Sequence, residues 1–114
     1  MTMKASERQV SGIAIIDLSG KITLGEGGAV LRNMVRDAVT RGHKNILLNL
    51  GEVTYIDSAG IGELVGCFTS VRKQGGELKL LRLTKRVNDL LQITKLYTVF
   101  DIKDDEASAI AAFK

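Results

Sequence analysis

The spacing of apolar residues changes repeatedly along this chain, and each change falls at glycine or a small polar residue; there is no proline. Such alternation restricts the fold strongly, because a strand needs a period of two or a short continuous apolar run, whereas a helix needs 3.6. Lys4 to Val10 alternates in part, Ser11-Gly12 reads as a tight turn, and Ile13 to Leu18 is a largely apolar strand, so the two segments predict a β-hairpin. Ser19 to Gly28 follows as a glycine-rich connection. From Ala29 the period becomes helical: Val30, Leu31, Met34, Val35, Ala38 and Val39 form a stripe opposite Arg32, Arg36, Asp37 and Arg41, and Gly42 suits the helix stop.

Asn45 to Leu50 is a short apolar run of the kind covered on both faces, and Val53 to Ile56 leads into a second helical stripe of Ile61, Leu64, Val65, Phe68 and Val71. Gln74-Gly75-Gly76 ends that helix, and Glu77 to Leu83 is the next strand. Thr84 is a candidate N-cap for a helix carrying Val87, Leu90, Leu91 and Thr94. Thr98 to Ile102 reads as a last strand, and Asp104, Asp105 and Glu106 suit the start of a last short helix. The order ββαβαβαβα predicts an α/β fold: a mixed, mainly parallel sheet of about five strands with about four helices. The expected core is Val30, Leu31, Val35, Ile46, Leu48, Ile61, Leu64, Val65, Phe68, Leu80 and Leu91.

A length of 114 residues suits one domain, residues 1–114, that buries enough surface to need no staple. One Cys excludes an internal disulfide framework, and one His leaves too few ligands for zinc, so neither a metal nor a cofactor is expected. No apolar run approaches the ~18 residues of a membrane span, and no signal-peptide core opens the chain; a soluble, cytoplasmic protein is expected. The net charge of +3 is modest, aromatic residues are 4% and Trp is absent, which argues against a nucleic-acid binder.

The stretch Val53 to Leu64 lies between a strand end and a helix, at the carboxyl edge where parallel α/β sheets place their sites. Asp57 and Ser58 are both good N-cap residues, a role that contributes about 1 kcal/mol. Capping leaves Gly60 and Gly62 unexplained, since each costs up to ~1 kcal/mol relative to Ala in a helix. Glycine there makes sense where another chain must approach the backbone closely. A serine at a helix N-terminus also accepts a phosphate without breaking its fold, because the helix dipole and free N–H groups tolerate the anion. The residues by themselves leave a cap and a functional serine both open.

Tyr55-Ile56-Asp57-Ser58-Ala59-Gly60-Ile61-Gly62 resembles the signature of the STAS domain, in particular of the bacterial anti-sigma factor antagonists. The preceding strand Ile46 to Leu50, the Gly75-Gly76 turn and the whole element order fit the same family, from Lys4 to about Phe113. The resemblance implies a binding switch with no catalysis of its own. An unphosphorylated antagonist binds an anti-sigma factor, often a serine kinase of the histidine-kinase-like ATPase fold, and frees the sigma factor. The kinase phosphorylates the antagonist, and a serine phosphatase resets it. The motif places the phospho-acceptor at Ser58 and implies that Asp57, Ala59, Gly60, Ile61 and Gly62 contact the partner, Asp57 also as a cap. Many members carry an acid in a Gly-x-x-Asp pattern beside the phospho-acceptor; here Gly20-Lys21-Ile22 leads to Thr23, which joins the expected partner site.

Two other readings have weaker support. Asp57, Thr84 and Lys103 fit the pattern of a response-regulator receiver phosphorylated on Asp57, but a receiver needs paired acids for Mg²⁺ where this chain offers only Asp17, and its sheet does not begin with a hairpin. A STAS scaffold or signalling module of a larger assembly, or one linked to a transporter, is the other. Gly25 to Gly28 lacks the Gly-Lys-Ser/Thr ending of a phosphate loop. Cys67 reads as a packing residue, His43 as a surface residue and Lys85-Arg86 as solvated charge at the border of the site.

Overall fold

A computed structural model describes residues 3–113. Lys4–Val10 (β1) and Ile13–Ile22 (β2) form the antiparallel hairpin, turning through Ser11-Gly12. Then come Glu26–Thr40 (α1), Asn45–Ile56 (β3), Ser58–Lys73 (α2), Glu77–Leu83 (β4), Lys85–Ile93 (α3), Ile102–Lys103 (β5) and Glu106–Ala111 (α4). The five strands lie in the order β1-β2-β3-β4-β5, and every pair after the hairpin is parallel. The α/β fold with a mixed, mainly parallel sheet and four helices is therefore as the periodicity predicts.

One face of the sheet carries the main core. Leu31 and Val35 of α1, Ile61, Leu64 and Val71 of α2, and Val87 and Leu91 of α3 close over Ile16, Ile46, Leu48 and Leu80. The opposite face holds a smaller cluster in which Ala109 of α4 covers Ile13, Ile15, Leu47 and Leu81. Successive side chains of a strand point to opposite faces, so covering both faces requires the unbroken apolar runs of β2 and β3. Val30, Val65 and Phe68 depart from the expected core. They are half-buried at its margin, because helices that rest on a sheet wet the flanks of their apolar stripes.

Several boundaries differ from the sequence reading. β2 runs on to Ile22 and α1 begins at Glu26, which shrinks the glycine-rich connection to Thr23-Leu24-Gly25. Gly27 and Gly28 belong to the helix; a Cβ on Gly27 would lie 2.2 Å from the Lys21 carbonyl oxygen. β3 is one strand of 12 residues rather than two runs. The last strand is only Ile102–Lys103, since Leu96–Thr98 forms a 3-10 turn that drops Phe100 into the core against Phe68. A short β-like string such as Thr98 to Ile102 has no local signal to separate a strand from a turn that buries one aromatic ring.

Candidate functional site

The Asp57-Ser58 pair stands where β3 ends and α2 begins, and tertiary hydrogen bonds assign the two residues different tasks. Asp57 has the extended backbone of a cap, and its Oδ1 accepts the Gly60 N–H at 2.8 Å. Its Oδ2 accepts the Leu24 N–H at 3.3 Å, and its own N–H donates to the Ile22 carbonyl at 3.3 Å. Asp57 thus fastens the β2–α1 loop to the start of α2. A helix needs only one cap, so Ser58 is the first residue of the helix proper. It is exposed, and its hydroxyl has no hydrogen-bond partner among the described residues.

The first-turn amides of Ser58 and Ala59 have no earlier turn to bond to, and they add partial positive charge beside the hydroxyl. Thr23 is half-buried in the neighbouring loop, where its carbonyl accepts the Gly28 N–H at 3.0 Å. The structure therefore brings Thr23, Asp57, Ser58, Ala59 and Gly62 to one end of the sheet. Gly60 and Ile61 face inward.

Gly60 corrects a sequence expectation. A Cβ there would lie 2.0 Å from the Ile22 carbonyl oxygen and 2.7 Å from Ile56 Cγ1, so the glycine is required by the chain's own packing. Gly62 differs: nothing lies within 4 Å of a Cβ built on it. The sequence reading also missed Leu24, whose 82% exposure puts an apolar side chain in the loop that Asp57 fastens. The available signal was an apolar residue between Thr23 and Gly25 with no periodic neighbour.

The remaining candidates are placed elsewhere. Burial, with the nearby Glu63 charge, pushes the Cys67 thiol up to about 12, which keeps it protonated and inert as a packing residue. His43 is half-buried, a correction to its expected surface position; its Nε2 is 3.0 Å from Gln9 Nε2 and 3.9 Å from Glu7. Thr84 caps α3 through the Val87 N–H and donates its hydroxyl to the Val53 carbonyl at 2.7 Å. Lys85 is solvated and paired with Asp89, whereas the Arg86 guanidinium lies over the Tyr55 ring at 4.4 Å. Asp17, the acid a receiver would use, is held by Arg8 at 2.6 Å and by Asn49 at 2.8 Å. Lys103 pairs with Asp101.

A hairpin-led sheet with three helices on one face and an exposed serine beside a capping aspartate defines a small α/β domain. The sequence model of the STAS domain matches residues 4–109, and the chain belongs to that family. An anti-sigma-B factor antagonist of Bacillus subtilis is 33% identical over 102 residues, which cover 90% of this chain and 92% of that relative. An anti-sigma F factor antagonist of Paenibacillus polymyxa is 26% identical over 110 residues, covering 96% and 94%. Among solved structures, the Bacillus cell fate determinant SpoIIAA in its phosphorylated form superposes with a TM-score of 0.75 at 19% identity, covering 97% of this chain and 100% of that one. The superposition speaks for the fold alone. No helix among the described residues is long and apolar enough to cross a membrane.

Proposed function

We propose that this chain is an anti-sigma factor antagonist of the bacterial cytoplasm, built as a single STAS domain over residues 1–114. Unphosphorylated, it binds an anti-sigma factor that is also a serine kinase, and the sigma factor is released. The kinase then phosphorylates Ser58, binding is lost, and a serine phosphatase restores the active form. The chain is the substrate and performs no catalysis. Thr23, Asp57, Ala59 and Gly62 form the contact surface around Ser58, with Gly60 and Ile61 shaping it from within.

The observation that carries this reading is the division of labour at the junction. Asp57 caps α2, so the Ser58 hydroxyl is free to react, and modifying it removes no bond that the fold uses. Both Asp57 oxygens are engaged by backbone N–H groups, which suits a positioning role better than that of a phosphorylated receiver aspartate. A phosphoserine carries roughly −1.5 to −2 charges, and a helix N-terminus offsets about 0.3–1 kcal/mol of such charge at an exposed site. The fold therefore tolerates the modification. A partner seated over Ser58 would face a dianion, and a loss of ~3 kcal/mol weakens binding about a hundredfold.

The test uses the purified chain, the anti-sigma serine kinases of its host and Mg-ATP. Wild type should gain one phosphate that survives hydroxylamine, and Ser58→Ala should gain none. Ser58→Asp should bind the kinase about a hundredfold more weakly by calorimetry, with an unchanged melting temperature. A hydroxylamine-labile phosphate on Asp57, or normal binding by Ser58→Asp, would defeat the reading.

A further inference from the structure

The contact surface around Ser58 is short of apolar area. Ala59 carries only a methyl group and Gly62 no side chain, Thr23 is half-buried, and both Asp57 oxygens are occupied by backbone N–H groups. Binding energy in protein complexes is concentrated in a few side chains that the partner buries completely. Leu24 is the large apolar side chain joined to this surface. Its N–H donates to Asp57 Oδ2 at 3.3 Å, and at 82% it is the most exposed large apolar residue among those described.

A single exposed leucine needs no explanation in itself. This one is set apart by its place and by the backbone that carries it. Beside the Leu24 N–H bond, the Thr23 carbonyl accepts the Gly28 N–H and the Gly25 carbonyl accepts the Ala29 N–H, both at 3.0 Å, so each residue of the connection is tied. Gly25 has a φ of 97°, in the left-handed region that favours glycine, and turns the chain into α1 directly after the leucine. The carboxylate that caps α2 through the Gly60 N–H therefore also fixes Leu24 relative to Ser58. A side chain on so tied a backbone gives up little freedom on binding. A partner that reaches Ser58 must also cover it. A specific interface takes about 800 Å² from each partner, roughly 20–30 residues, and Leu24 is bonded to the side chain next to Ser58. Withdrawing a leucine from water into apolar surroundings strengthens binding by about tenfold to a hundredfold.

We propose that Leu24 is the apolar anchor of this surface, seated in an apolar pocket of the anti-sigma factor beside its kinase site, with Asp57 as the positioning residue that holds it there. The proposal rests on the function given above and names the side chain that supplies the affinity and the chemistry of its receptor. Asp57→Asn separates the two tasks of the carboxylate: it keeps one oxygen to cap α2 and loses the second acceptor.

The experiment titrates the anti-sigma kinase that wild type binds with Leu24→Ala, Leu24→Met, Leu24→Lys, Leu24→Glu, Asp57→Asn, the double variant Leu24→Ala/Asp57→Asn and Ser58→Asp, each below its melting onset. Leu24→Ala should bind at least about tenfold more weakly and melt as wild type does. Leu24→Met should retain most of the affinity. Leu24→Lys and Leu24→Glu should both bind no better than Leu24→Ala, because an apolar pocket excludes a charge of either sign. Asp57→Asn should weaken binding when Leu24 is present and by no more than about twofold once it is alanine. Leu24→Ala within about twofold of wild type, or either charged variant binding as wild type does, while Ser58→Asp still loses binding, overturns the anchor and leaves the switch standing. Losses that multiply in the double variant overturn the positioning role of Asp57. Wild type that binds none of the host's anti-sigma kinases overturns the parent function, and the anchor with it.

Discussion

At the residue scale, three glycines in one helix have different reasons to be glycine. Gly60 is pressed against the Ile22 carbonyl, whereas Gly62 and Gly66 face open space. Gly60→Ala must push the start of α2 away from β2, and a loss of about 1–3 kcal/mol is expected, as for other overpacked sites. Gly62→Ala meets nothing and removes the conformational freedom of a helical glycine, so it should add up to about 1 kcal/mol. Urea denaturation of the two variants checks the opposite signs; equal effects would contradict the packing at Gly60. Asp57→Ala should lose about 1 kcal/mol through its cap and also release the Leu24 loop, so its stability loss should exceed that of Asp105→Ala, which removes a cap without a tertiary bond.

At the scale of elements, α4 is held on by its surroundings. Six residues are far short of the ~12–15 that make an isolated helix even marginal in water. The Asp105 side chain caps the helix through the Ser108 N–H at 2.9 Å, Arg8 reaches Glu106 at 2.8 Å, and Phe113 lies 5.3 Å from the Lys79 ammonium. The Arg8 hydrogen bonds hold the Asp17 and Glu106 carboxyls below the usual carboxylate range, and the Ser108 N–H does the same for Asp105. Carboxylates depressed in the folded state contribute stability above the ordinary range and lose it as the pH falls through their lowered values. Acid should therefore release α4 before the sheet. Amide exchange followed from about pH 7 to about pH 3 should show Ala109 and Ile110 losing protection while Leu47 and Leu48 keep theirs. Arg8→Ala should flatten that pH dependence. Simultaneous loss of protection in α4 and β3 would sink this assignment.

At the scale of the whole molecule, β3 is the member on which both layers converge. Leu48 faces the three-helix core and Leu47 the α4 cluster, both fully buried. Leu48→Ala should cost about 2–5 kcal/mol, a large share of the roughly 5–15 kcal/mol that such domains possess, and denaturant titration measures it directly. Leu24→Ala should leave stability within about 0.5 kcal/mol, because its side chain is exposed.

What the sequence by itself determined lies within a few residues of each position. The stripe of Ile61, Leu64 and Val71, the apolar runs of the central strands and the Asp57-Ser58 junction are local patterns, and periodicity reads local patterns well. The resemblance of Tyr55 to Gly62 to a STAS signature is local for the same reason. Only the tertiary structure decided which of two adjacent capping residues caps, which glycine the fold needs, where the last strand lies and which face α4 covers. Asp57 becomes the cap and the clasp because Ile22 and Leu24, more than thirty residues earlier, end beside it. Gly60 is indispensable because the same Ile22 carbonyl passes over it. Those contacts join parallel strands through a helical crossover, so their partners are distant in sequence and leave no periodic trace in either segment.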